Sequence, residues 1–351
     1  MANETPLQHG PIQFGLFDWI ESDKLLARDT FEERLKMLEY ADESGFFCYQ
    51  LAEHHLTPLC LAPSPGIFLA AAAQRTRHIR LGPLVYLLPL YDPLRLLQEI
   101  CMLDHLSNGR LDVGVGRGVV PFEIASYNVN PDETGDIFNE ALDVLLKGFT
   151  NDVISHEGRY FTYENVRPWI RPLQQPYPPL WYASTNVESA PWVARNGFNT
   201  ANIFNPSSDI RAYFDLYKRS WQEHQNDPGR LNPHVDVPKY GLVRHVYVAP
   251  TDRQAEEECR AAHEAWFHNI SLLPTLTGEP RSMEFISNYD SLRGNEVMIA
   301  GSPESVTDQV RHGIEDTGCS YFGCIFAFGD LTHEQVMRSM RLFVQEVMPS
   351  I

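Results

Sequence analysis

The chain has no apolar run of the roughly 18–20 residues needed to span a bilayer, and its opening MANETPLQHG has no basic segment leading into an apolar one. A soluble, cytoplasmic protein without a secretion signal is therefore expected. Its six cysteines, Cys48, Cys60, Cys101, Cys259, Cys319 and Cys324, include no CxxC pair and no disulfide-scaffold spacing. Reduced core thiols are expected. Basic residues are scarce, 28 Lys and Arg against 46 Asp and Glu, and the resulting charge of −18 disfavours nucleic acid and anionic membranes as partners.

What is present is a globular composition, 43% hydrophobic and 11% aromatic, in 351 residues. Strand-like apolar runs alternate with amphipathic helical stretches from end to end, the order of parallel α/β architecture. The core strands start near residues 12, 46, 79, 109, 179, 198, 241 and 319, and that set predicts a single-domain (β/α)8 TIM barrel over 1–351. VMIAGS at 297–302 stays outside this count. The Pro- and aromatic-rich segment 151–178 reads as an excursion between strands four and five, and 270–295, without a clean period, as a long mobile loop after strand seven.

A barrel places its chemistry at the C-terminal strand ends. Asp18 and Trp19 fall there, as do Glu53, His54 and His55 in LAEHHL, Tyr86, Arg117, the Ser184–Ser189 run, Asn205 and the Phe326–Asp330 run. Adjacent residues on an extended chain point to opposite faces, so EHH does not converge on a metal. One histidine as an acid/base with the other buried on a structural hydrogen bond fits better, and two merely structural histidines stay open. GVGRG (114–118) departs from a dinucleotide loop, with Val119 at its third glycine position. Its glycines let backbone approach something flat. Arg117 suits a phosphate or a surface ion pair, and Ser184, Thr185, Asn186 and Ser189 suit an anion or simple caps. Together they suggest a phosphorylated cofactor.

Several stretches carry a resemblance: IQFGLF, ESGFFCYQLAEHH, the run RHIRLGPLVYLLPLYDPLRLLQEICMLDHLSNGRLDVGVGRG, PPLWYASTNVESAPWVARNGF, AGSPESV and MRLFVQEVMP. Across nearly its whole length the chain resembles the bacterial luciferase-like flavin-dependent monooxygenases. The resemblance implies a TIM barrel that takes reduced FMN from a separate NAD(P)H-dependent flavin reductase and, through a flavin hydroperoxide, uses O2 to oxygenate an organic substrate. It implies His54 as the catalytic histidine, with Glu53 and His55 orienting it. Arg117 is then the arginine on the FMN phosphate, and Thr185, Asn186 and Ser189 match the loop after strand five. Leu84 and Val85 match a non-prolyl cis peptide under the flavin.

There are departures. Gly116 stands where luciferases carry a cysteine near the flavin, and Phe204 where they carry tryptophan. Phe17, Trp19, Tyr86, Phe204 and Phe326 are expected to line an apolar substrate pocket. A homodimer through helices two and three is expected. A deazaflavin-dependent oxidoreductase and a noncatalytic flavin-binding subunit remain alternatives.

Overall fold

The computed structural model describes residues 10–21, 26–278 and 284–351. Strand β1 (Gln13–Asp18) leads into helix α1 (Ala27–Glu43), β2 (Cys48–Leu51) into α2 (Pro65–Arg75), and β3 (Arg80–Pro83) with the two-residue β4 (Tyr86–Leu87) into α3 (Pro93–Leu106). β5 (Val113–Gly116) is followed by a short α4 (Pro121–Ser126) and a long α5 (Thr134–Thr150), then by β6 (Ile154–Glu157) and β7 (Thr162–Val166). β8 (Leu180–Trp181) precedes α6 (Ala190–Arg195), β9 (Thr200–Ile203) precedes α7 (Ser207–His224), and β10 (Tyr240–Val248) precedes α8 (Asp252–Thr277). Two short helices, α9 (Glu284–Ser287) and α10 (Tyr289–Gly294), lead to β11 (Met298–Gly301) and α11 (Pro303–Thr317), and β12 (Tyr321–Ile325) leads to α12 (His333–Leu342).

Local chemistry sets the helix ends. Asp92 accepts the Arg95 amide ahead of Pro93, Ser302 does the same for Ser305 ahead of Pro303, and Thr332 and Gln335 form a capping box. Gly318 ends α11 in the left-handed conformation, φ 61°, that a side chain would resist. The six cysteines are free and buried. No helix among the described residues is long and apolar enough to cross a membrane.

The chain forms two compact units. One contains β1 through Phe17, Ser184–Glu264 and everything from α9 onward. Within it β1 pairs with β12, and β10 runs between β12 on one edge and β9 then β11 on the other, all parallel. Tyr321 occupies the space over two glycines: a Cβ on Gly15 would lie 2.1 Å from its hydroxyl, and one on Gly241 2.4 Å from its ring. Gly15→Ala is thus expected to cost about 1–3 kcal/mol by overpacking. A lower urea midpoint, partly restored by adding Tyr321→Phe, checks this; strict additivity of the two changes would refute the contact.

The second unit contains Asp18–Ala183 and the second half of α8. Here β2 pairs with β3, β4 with β5, and β5 with β8, again in parallel. The 151–178 excursion carries an antiparallel hairpin, β6 with β7. Glu140 of α5 anchors it by accepting the amides of Arg159, Tyr160 and Phe161.

Two expectations need correction. Residues 297–302, outside the predicted strand count, hold β11, which extends the parallel pairing of β10 from His245–Met298 to Val248–Gly301. The stretch 270–295 is mostly helical where described, because α8 continues to Thr277 and α9 and α10 follow; 279–283 lie outside the described residues. Ala255, Cys259, Ala262, Trp266, Asn269 and Leu273 are all buried, and their spacing is that of one helical face.

Candidate active site

Glu53, His54 and His55 follow β2, and their side chains take different partners. Glu53 is buried. One carboxylate oxygen lies 2.8 Å from His55 Nε2, and the other accepts the Leu87 amide at 3.2 Å and the Tyr91 hydroxyl at 3.0 Å. Burial raises its pKa, opposed by the His55 contact and the two donors. His55, also buried, meets the Tyr127 hydroxyl at Nδ1, 2.9 Å, with the two rings edge to face.

His54 turns away from both. Its side chain keeps 22% of its exposure, and its Nδ1 lies 3.1 Å from Glu123 Oε1, a carboxylate that is 3% exposed. Glu53 is hydrogen-bonded to His55, and the carboxylate at His54 is that of Glu123. Glu123 and Tyr127, at the start and just past the end of α4, tie this helix to successive histidines. Glu123, Tyr91 and Tyr127 were not legible as site residues, because no local spacing links them to a histidine 69 positions away in the case of Glu123.

The glycines of β5 serve a close approach. A Cβ on Gly114 would sit 2.4 Å from the Pro83 carbonyl, and one on Gly116 2.5 Å from a Val85 methyl. The Leu84–Val85 peptide facing them is cis. What lies against Gly116 is thus the Val85 side chain. Arg117, the next residue, is exposed and has no hydrogen-bond or ion-pair partner among the described residues. It lies close enough to Tyr182 to oppose the rise in that phenol's pKa caused by burial.

In the other unit, the loop after β8 gathers its hydroxyls. Ser189 donates to the Asn186 carbonyl at 2.7 Å and shares a hydrogen bond with Ser184 Oγ at 2.8 Å, while the Asn186 amide donates to Ser184 Oγ at 3.2 Å. The Asn186 side chain caps the following 3-10 turn by accepting the Glu188 amide at 3.0 Å, so it serves locally. Thr185 stays exposed, its side chain without a partner among the described residues.

The aromatics expected at the strand ends each pack against a neighbour. Phe17 is buried on β1, Trp19 lies 6.3 Å from Trp266, and Phe204, at φ 72°, stacks on His245 at 6.4 Å. Tyr86 packs edge to face on Tyr91 with its hydroxyl at Gly66 of α2, and Phe326 packs on Phe343 at 5.2 Å.

A family model described as luciferase-like monooxygenase matches residues 12–321. The oxygenase component of a flavin-dependent trigonelline monooxygenase from Acinetobacter baylyi is 26% identical, over 97% of this chain and 95% of its own. Among solved structures, the oxygenating constituent of the 3,6-diketocamphane monooxygenase of Pseudomonas putida, a type II Baeyer-Villiger enzyme in complex with FMN, aligns with a TM-score of 0.81 at 22% identity, covering 97% of this chain and 99% of that one. An F420-dependent secondary alcohol dehydrogenase shares the fold at a TM-score of 0.72 and 18% identity, over 97% and 98% of the two chains.

Proposed function

The chain belongs to the luciferase-like monooxygenase family and is a flavin-dependent monooxygenase, and we propose that it is the oxygenase of a two-component system, fed with reduced FMN by a separate NAD(P)H-dependent reductase and acting on an apolar organic substrate. Closure of its parallel strands into a single-domain (β/α)8 barrel belongs to this proposal. So do a cytoplasmic location and a homodimer, for which exposed Ile67 on α2 and Met102 and Leu106 on α3 offer apolar surface.

The observation that carries the cofactor assignment is Arg117. A guanidinium that is exposed and has no carboxylate partner among the described residues, directly after a parallel strand, is a donor suited to a phosphate monoester. In the other unit, Thr185 and the Ser184–Ser189 hydroxyls are the second candidate set of anion donors. Reduced FMN, when bound, supplies the electrons that activate O2. His54 moves the proton: with Nδ1 held by Glu123, its Nε2 is left as the acid/base atom. Trp19, against Trp266, is the proposed apolar surface on the substrate side of this unit.

Arg117→Ala is expected to weaken FMN binding by about 10–100-fold, the range of one or two charge-assisted hydrogen bonds, and riboflavin by less than about twofold. Equal weakening of both ligands would remove the phosphate role. The function itself is tested by mixing the protein and photoreduced FMN with oxygenated buffer and following flavin absorbance. A reoxidation course that differs from free flavin, and changes again with substrate, is expected. Return to oxidised FMN at the free-solution rate, or binding of a reduced deazaflavin alone, would overturn the proposal.

A further inference from the structure

The loop after β8 hangs on hydrogen bonds that begin at a buried charge. Arg244, in the middle of β10, is 1% exposed. It donates from Nη1 to the Val243 carbonyl at 3.2 Å and from Nη2 to the Asn205 carbonyl at 3.0 Å, and it forms no salt bridge among the described residues. Burial lowers its pKa to about 10, a shift that Glu296 and Cys319 oppose, so the cation persists at neutral pH. Burying an arginine without a carboxylate is costly, and an apolar residue of similar volume would fill the strand at less expense.

The next links give that charge a purpose. Asn205 follows Phe204, whose left-handed φ of 72° redirects the chain at the end of β9. The Asn205 side chain then donates to the Thr185 carbonyl at 3.1 Å, and buried Asn202 donates to the Ser184 carbonyl at 3.2 Å. In a trans peptide the C=O and the next N–H point in opposite directions. Holding these two carbonyls against β9 therefore aims the amides of Thr185 and Asn186 the other way. Ser184 Oγ captures the Asn186 amide. The Thr185 amide and hydroxyl are left without a partner among the described residues.

We infer that Arg244 is a positioning residue for an anion subsite on the 184–189 loop: acting through Asn205, it fixes the Thr185 carbonyl and so the backbone that offers the Thr185 hydroxyl, beside Ser189, to a phosphate monoester, while Asn202, on the Ser184 carbonyl, aims the Thr185 amide. The inference rests on the proposed contact between this loop and the FMN phosphate. Arg244 itself does not touch the ligand.

The test is the ratio of riboflavin Kd to FMN Kd, measured by fluorescence titration of the full-length protein. A merely structural defect would weaken both ligands and leave the ratio unmoved. Arg244→Met is expected to lower it about tenfold or more. Asn205→Ala, which leaves the β10 core intact and cuts the chain of bonds at its second link, is expected to do the same, so the inference stays testable if the first variant does not fold. Ser189→Ala is the direct reporter of the loop. A lowered ratio in Ser189→Ala with an unchanged ratio in the folded Arg244 and Asn205 variants would overturn the positioning role alone. An unchanged ratio in all of them, Thr185→Gly included, would show that the phosphate does not bind this loop and would overturn the reading beneath it.

Discussion

His54→Ala is expected to lower the rate of substrate oxygenation by about 10²–10⁴-fold, the contribution of a positioned acid/base, while the Kd for reduced FMN changes by less than about twofold. The rate is read from the time course of product formation in single turnovers, on a substrate identified by panel screening. A parallel comparison decides what orients the imidazole. Glu123 Oε1 lies 3.1 Å from His54 Nδ1, whereas Glu53 spends both oxygens on His55, Tyr91 and the Leu87 amide. Glu123→Gln keeps an acceptor but removes the charge that favours the Nδ1–H form, and is expected to cost about 10–100-fold. Glu53→Gln is expected to cost far less in rate. Its damage falls on the His55–Tyr127 tie and hence on stability. If Glu53→Gln cripples turnover and Glu123→Gln does not, it is Glu53 that serves the catalytic histidine and Glu123 that is structural.

Much of this was readable in the sequence, for physical reasons that also mark where reading failed. Strand–helix alternation survives in composition because buried parallel strands need continuous apolar runs and covering helices need a 3.6-residue stripe. His54 was visible because it sits just past such a run. Glu123 was not, since a lone acid in PFEIAS looks like any solvated helix residue until the fold brings it to a histidine. The end of α8, residues 270–277, reads as loop because a stripe position just before it is occupied by a polar residue. Asn269 lies on the buried face and donates to Glu21 at 2.9 Å, and it broke the apolar period together with Pro274 and the nearby threonines. Arg244 did leave a signal: a charge inside GLVRHVYVA, a run buried along its whole length, is expensive enough to need an explanation.

Asp18→Ala is expected to destabilise the fold by about 3–5 kcal/mol, the usual consequence of leaving one partner of a buried ion pair uncompensated. The strand-end rule marks Asp18 as a catalytic candidate, yet its oxygens are spent. One accepts the Ile20 amide at 2.8 Å; the other lies 3.0 Å from Arg34 Nε and accepts the Tyr49 hydroxyl at 3.1 Å. Asp18 is 1% exposed and Arg34 7%, so solvent offers neither charge a substitute. Asp18 also holds a strained turn, because Ile20 is β-branched and adopts φ 53°, a left-handed conformation costing roughly 1–2 kcal/mol. Against a typical total stability of about 5–15 kcal/mol, the loss is large enough to appear as a lower urea midpoint and a smaller folded yield. Arg34→Met should be comparably damaging alone, while Asp18→Leu with Arg34→Met should cost less than the sum, since the pair then leaves no charge behind. The Ile20 turn is not repaired by the double change, so Trp19, 6.3 Å from Trp266, should keep a shifted emission. A fully stable Asp18→Ala protein with lost turnover would return Asp18 to the chemistry.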